Sequence, residues 1–291
     1  MTQDDKLHKN EELKNGQENQ SINSKENESQ VEDKKKAGKR RLLYILLPII
    51  IIILLPAMLY ERVGTLSYES GSYEGEIRGF EPHGEGIWIH KDGDRKEGQW
   101  KDGLLHGQGK VTYVDGTIYE GQLKHGLMHG EGKIIRSDGV TYEGEFFEGL
   151  AHGKGEAVYP DGSTYRGQYK EGQKHGRGEY ISPDGVKYTG IFINDMLHGY
   201  GELVSPEGLS YKGEFKEDLF HGRGTFITEE GAEYEGQFKE GKYHGKGTMT
   251  YADGVVYEGE WEKGMFHGEG TLTFPDGFVV EGTWVEHELV E

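Results

Sequence analysis

The sequence predicts an all-β protein: an elongated single-layer antiparallel sheet of stacked β-hairpin repeats, preceded by one transmembrane helix and a disordered tail. Three observations predict it. His-Gly recurs at His83, His106, His129, His152, His175, His198, His221, His244 and His267, always 23 residues apart. Glycine makes up 48 of 291 residues, about twice the usual ~7%, with only 7 prolines, so the excess is neither collagen-like nor a low-complexity coil. Residues 42–60 carry no charge at all.

Charge narrows the function classes. The chain has 33 basic and 52 acidic residues, a formal net charge of −19, which argues against a nucleic-acid partner. It has no cysteine, so disulfide frameworks, thiolate nucleophiles and Cys-ligated metals are all excluded. Segments 1–41, 42–60 and 61–291 carry +1, 0 and −20.

Residues 1–33 are Asn, Gln, Glu, Lys and Ser with almost no bulky apolar side chains, so burial cannot offset the entropy of ordering them. Residues 1–41 are therefore expected to be a disordered cytoplasmic tail ending in a basic clamp, Lys34, Lys35, Lys36, Lys39, Arg40 and Arg41. The run 42–60, LLYILLPIIIIILLPAMLY, would reach about 28 Å as a helix, roughly a bilayer core. Pro48 and Pro56 would kink it, which membrane helices tolerate. The clamp before the span and the cancelling Glu61 and Arg62 after it place the amino terminus in the cytoplasm and the rest outside the cell membrane. The long charged segment before the span and the lack of an A-x-A-like site favour an uncleaved signal-anchor over a cleaved secretory signal. The clamp sets orientation, or binds anionic lipid.

Residues 61–72 are expected to form a short linker and a capping half repeat, because Gly64-Thr-Leu-Ser-Tyr68 followed by Gly71 matches Gly247-Thr-Met-Thr-Tyr251 followed by Gly254. Residues 73–291 hold nine 23-residue units and a partial tenth. With tyrosine as position 1, units open at residues 73, 96, 119, 142, 165, 188, 211, 234, 257 and 280, with Lys96 and Val280 as exceptions to tyrosine. The signature is Tyr73, Gly75, His83, Gly84 and Gly86; Tyr119, Gly121, His129, Gly130 and Gly132; and Tyr257, Gly259, His267, Gly268 and Gly270, with equivalents in the other units.

Positions 1, 3 and 5 alternate aromatic, Gly, aromatic, and positions 12, 14 and 16 read Gly, Gly, apolar, so each unit carries two strands with one apolar face. A loop over positions 6–11 is expected between them, and the Asp-Gly or Glu-Gly pair at positions 20 and 21 should turn the chain into the next unit. Glycines at 3 and 14 leave floor on which aromatic rings can lie flat. Apolar pairs at positions 9 and 10, such as Leu104-Leu105 and Met265-Phe266, should fold back from the loop over the rings, with Pro82 and Lys174 as weak points. Asp195 and Asp218 replace glycine at position 8 and put the local loop geometry in doubt. Glu286, Glu288 and Glu291 charge the last edge strand against end-to-end pairing. Two strands per unit advance about 10 Å, so the sheet is expected to be a twisted ribbon on the order of 90 Å long.

Tyr-x-Gly-x-aromatic, His-Gly-x-Gly and Asp-Gly at a 23-residue period resemble the membrane occupation and recognition nexus (MORN) repeat over about residues 64–285. The resemblance implies extended sheets of stacked hairpins that serve as scaffolds, tethering modules or non-catalytic appendages, and that associate, so a homodimer is consistent with it. Chemistry is not expected. Nine histidines about 10 Å apart cannot converge within ~2 Å of one ion, so no metal is expected, and no cofactor either. The HGxG spacing enters strands without a following helix, so it is not a phosphate loop. The repeated glutamates read as a solvated face. The reading is thus a non-catalytic scaffold, integral to the membrane by one span, that binds a protein or polymer through many equivalent contacts. The alternatives are a lipid-binding or membrane-tethering module, and an assembly subunit that recruits a cytoplasmic partner through its tail.

Overall fold

The computed structural model describes residues 35, 36, 39 and 60–290. Lys35, Lys36 and Lys39 are helical and exposed; the expected span, the tail, Lys34, Arg40, Arg41 and Glu291 lie outside the described residues. Among the described residues no helix is long and apolar enough to cross a membrane. The chain divides into two units, one of residues 1–62 with Arg78–Phe80, the other of Val63–Ile77 with Glu81–Glu291. Apart from Arg78–Phe80 in the first repeat, the repeats belong to the second.

Residues 61–289 form one open sheet of 21 strands, each antiparallel to its neighbours in sequence: β1 (Glu61–Tyr68), β2 (Gly71–Arg78), β3 (Glu81–His90), β4 (Arg95–Lys101), β5 (Leu104–Thr112) and so on to Val279–Val285 and Glu288–Leu289. Within residues 61–72, given above as a short linker and capping half repeat, Glu61–Tyr68 is strand and Gly71 opens the next one. Each unit pairs a short strand with a long one, as in Thr141–Phe147 and Leu150–Val158.

The expected loop over positions 6–11 is absent. The strands are joined by a two-residue turn at positions 7 and 8, where Glu148 and Gly149 have φ of 49° and 87°. Positive φ at both central residues gives the twist that a two-residue hairpin requires. Asp195 (φ 70°) and Asp218 (φ 66°) adopt the same conformation without glycine. Each aspartate makes a bond that glycine cannot, the Lys174 N–H donating to Asp195 Oδ1 (2.9 Å) and the Leu197 N–H to Asp218 Oδ1 (2.7 Å), which adds a rung between successive units.

The Asp-Gly connection at positions 18–22 is as expected. In the unit of Tyr142 the Gly162 N–H donates to the Tyr159 carbonyl and the Tyr159 N–H to the Ser163 carbonyl, both at 2.9 Å, with Gly162 at φ 89°. Asp161 Oδ1 also accepts the Ser163 N–H (2.9 Å), the local side-chain bond that makes aspartate a turn former.

Because position 9 already lies in the strand, alternation sends 9 and 10 to opposite faces. Position 10 joins the rings, as where Phe220 pairs with Phe215. Position 9 is exposed on the other side, with Leu104 at 46% and Leu127 at 50%. Only half of each apolar pair covers the core.

That core is an aromatic zipper. Tyr165 packs edge-to-face on Tyr169 of its own unit (5.1 Å, 88°) and on Phe192 of the next (5.0 Å, 85°), and the pattern continues through Tyr188, Tyr211 and Tyr234. Each such contact contributes about 0.5–1.5 kcal/mol beyond area burial. Phe220, Tyr243 and Phe266 at position 10 lie flat on the tyrosines, at 3.8, 4.0 and 3.6 Å. The floor is glycine facing glycine, from Gly86 opposite Gly98 to Gly270 opposite Gly282. A Cβ on Gly178 would sit 2.5 Å from Tyr165 Oη. With no side chain there, the ring drops onto the backbone and Tyr165 becomes fully buried in a single-layer sheet.

The two expected weak points are closed. Pro82 is buried. Lys174 Nζ lies 5.2, 5.5 and 4.8 Å from the ring centroids of Tyr159, Tyr165 and Tyr180, so its stem covers apolar surface and its charge rests on ring faces.

Candidate functional site

The HGxG segment is a bulge. Gly167 faces Gly178, but the next pair is Gln168 with His175, so Gly176 and Arg177 are left out of that ladder. Gly176 has φ of 63°, a left-handed conformation that glycine adopts without strain. A Cβ there would also strike the Gln168 amide. The position 4 side chain bends over this glycine and accepts the next N–H: Gln168 Oε1 from Arg177 (3.0 Å), Glu145 Oε1 from Lys154 (2.9 Å), Glu214 Oε1 from Arg223 (3.0 Å).

The tyrosine hydroxyl secures the same bulge from the ring face. Tyr73 Oη donates to the Glu76 carbonyl (2.7 Å) and lies 3.2 Å from the His83 carbonyl; Tyr119 and Tyr257 donate to the carbonyls of Gln122 and Glu260. The signature residues therefore form one device: Gly75, Gly86, Gly121, Gly132, Gly259 and Gly270 floor the rings, and Gly84, Gly130 and Gly268 make the bulge. His83, His129 and His267 lie at the strand position opposite residue 4, on the face away from the rings. At His83 the backbone carbonyl is what the tyrosine uses. Burial holds Tyr73, Tyr119, Tyr188 and Tyr257 at pKa values pushed up to about 12. Burial also lowers the Lys174 pKa, opposed by Asp195, Asp218 and Asp161.

The other face is open and differs from unit to unit. Grooved stretches lie above the glycine rows; one of about 670 Å³ is floored by Gly144, Gly155 and Gly167 and walled by Glu143, Lys154, Arg166 and Arg177. Equivalent stretches lie at Gly86, Gly98 and Gly109 and at Gly247, Gly259 and Gly270. Their walls are positions 2, 4, 13 and 15. Among the described residues no group of three or more His, Asp or Glu side chains could hold a metal ion.

A family model described as MORN repeat matches residues 73–95, 97–118, 119–141, 142–164, 165–187, 188–210, 211–232, 234–256 and 257–279. The chain belongs to the MORN-repeat family. No curated protein matches this MORN chain. Among solved structures it is similar to the TCP10 domain of Danio rerio CPAP in complex with a peptide of STIL, at 17% identity over 70% of this chain and 96% of that one, TM-score 0.39. It is also similar to the Drosophila melanogaster SAS-4 TCP domain in complex with a proline-rich motif of Ana2, at 12% identity over 61% and 90%, TM-score 0.33. A third similarity is to virginiamycin B lyase from Staphylococcus aureus, at 15% identity over 77% and 74%, TM-score 0.16. None of these likenesses bears on what the MORN sheet binds.

Proposed function

We propose that this MORN chain is a non-catalytic interaction protein whose groove-bearing face receives a protein partner. One contrast carries the reading: the rings of the apolar face are buried and repeat from unit to unit, whereas the opposite face keeps an open, glycine-floored groove with walls that vary. Variable walls on a constant floor give a surface that can discriminate partners along its length. The 42–60 run supports anchoring in the cell membrane by a single span, with the amino terminus cytoplasmic and the repeats outside.

The test is site-specific photo-crosslinking in the native cell, with the photoreactive residue at Tyr200 in the groove wall or at Val114 in an exposed turn. One protein adduct from Tyr200 and none from Val114 is the expected result. No adduct, or equal adducts from both, overturns the reading. Since the chain has no cysteine, single cysteines placed at Ser21 and at Glu230 report topology with an impermeant thiol reagent: labelling at Glu230 alone is expected, and labelling at Ser21 alone reverses the orientation.

A further inference from the structure

The groove wall at position 13 changes sign along the sheet. It reads Glu85, Gln108, Glu131, then Lys154, Arg177, Tyr200, Arg223, Lys246, then Glu269. The five middle residues are all exposed, Tyr200 at 59%. The unbroken register with the following unit places each of them opposite its position 4: Lys154 faces Gln168, Arg177 faces Ile191, Tyr200 faces Glu214, Arg223 faces Gln237 and Lys246 faces Glu260. They therefore form one row, with a side chain on every second strand.

Among the described residues none of the four cations forms an ion pair, whereas Lys110 and Lys133 in the acidic units are paired with Glu120 (3.8 Å) and Glu143 (3.1 Å). Tyr200 and Ile191 stand where the other complete units carry charged or amide side chains, and the Glu214 carboxylate opposite Tyr200 accepts the Arg223 N–H (3.0 Å).

Resting on the interaction reading above, we propose that the row Lys154, Arg177, Tyr200, Arg223 and Lys246 binds an acidic polypeptide segment in the polyproline II conformation, lying across the strands. Two strand spacings come to about 9.6 Å. One turn of polyproline II takes three residues at ~3.1 Å each, or about 9.3 Å. Carboxylates at every third residue would thus meet the cations in register, with a proline over Tyr200 at the centre, the contact by which aromatic grooves hold such helices. Glu131 and Glu269 bound the row, so the stretch in contact spans about thirteen residues on the same spacing. Charge density selects the class of anion. The cations stand about 9.6 Å apart, a spacing that carboxylates on every third residue match and that a dense polyanion such as polyphosphate does not use.

The experiment is fluorescence anisotropy with the full chain and a labelled peptide of five triplets, Glu-Pro-Pro twice, Pro-Pro-Pro once and Glu-Pro-Pro twice. A peptide of the same composition with its glutamates two and four residues apart is the comparison. The period-three peptide is expected to bind at least tenfold tighter than the comparison peptide. Arg177→Glu with Arg223→Glu should weaken it at least tenfold and Tyr200→Ala about threefold, while Lys110→Glu with Lys133→Glu leaves it unchanged. Neutral Lys154→Gln with Lys246→Gln, expected to weaken it about fivefold, checks the row without adding negative charge. Equal binding of the two peptides overturns the register. Indifference to both the Arg177/Arg223 and the Lys154/Lys246 pairs overturns the site. Tighter binding of inorganic polyphosphate at equal charge overturns the peptide. If the Tyr200 adduct forms in cells while the peptide does not bind, the interaction reading stands and this inference alone falls.

Discussion

The two faces of this sheet follow opposite rules. On one, Tyr165, Tyr188, Tyr211 and Tyr234 repeat the same edge-to-face contacts and the same hydroxyl bond to a backbone carbonyl. On the other, equivalent positions change from Glu131 to Lys154 to Tyr200 with no change in the strands beneath. The difference teaches that order resides in one face and information in the other. A single-layer sheet can vary its surface because the rings and glycines, not the exposed side chains, hold the backbone.

The largest effect that would sharpen this contrast is alkaline. The tyrosines' folded pKa values are raised, so the folded state holds its protons more tightly than the unfolded chain. Their contribution to stability is full below pH about 10, the ordinary tyrosine value, and is lost as pH rises through about 12. Circular dichroism and tyrosinate absorbance should change together in that window. Ionisation of these rings at pH 10 with the strands intact would break the comparison.

Substitution of floor against turn comes next. Gly178→Ala drives a methyl into the Tyr165 ring and should cost about 2–3 kcal/mol. Gly162→Ala meets nothing within 4 Å and only forces alanine to φ 89°, costing about 1–2 kcal/mol. Denaturant unfolding that ranked Gly162 above Gly178 would contradict the role given to the floor.

At position 10, Lys174→Ala uncovers three rings and should destabilise by about 1–2 kcal/mol, while Lys174→Phe, copying Phe220, should be neutral or stabilising. Thermal melts of the two variants decide whether the lysine covers the rings or merely sits near them. Smallest is the other face: Arg166→Gln and Lys212→Gln are expected within ±0.5 kcal/mol of the parent. A larger loss in urea would show that the groove walls also hold the fold.

The repeat, the pairing of two strands per unit and the aromatic face were legible because a period of 23 residues displays one pattern nine times. What was misread is specific. Positions 7 and 8 already carried a turn signal, Asp102-Gly103 and Glu148-Gly149, but apolar Leu104-Leu105 after it looked like a loop returning to the core. Alternation decides that point, and it needs the turn length. Lys174 looked like a hole since charge and cover are separate properties of a lysine, whose stem does one while its head does the other. The sign change at position 13 is written in the sequence. Its meaning was not, because the strand register is what leaves Arg177 out of the ladder of its own unit and sets it opposite Ile191 of the next.

The bond from the position 8 N–H to the position 10 carbonyl has a direction. Gly126 donates to Leu105, Gly149 to Met128 and Gly172 to Ala151, so each turn latches onto the unit made before it. Synthesis also runs that way. A unit leaving the ribosome finds its docking edge already built, since its short strand pairs with the long strand behind it and with its own long strand, and the growing end can fold unit by unit without waiting for distant sequence.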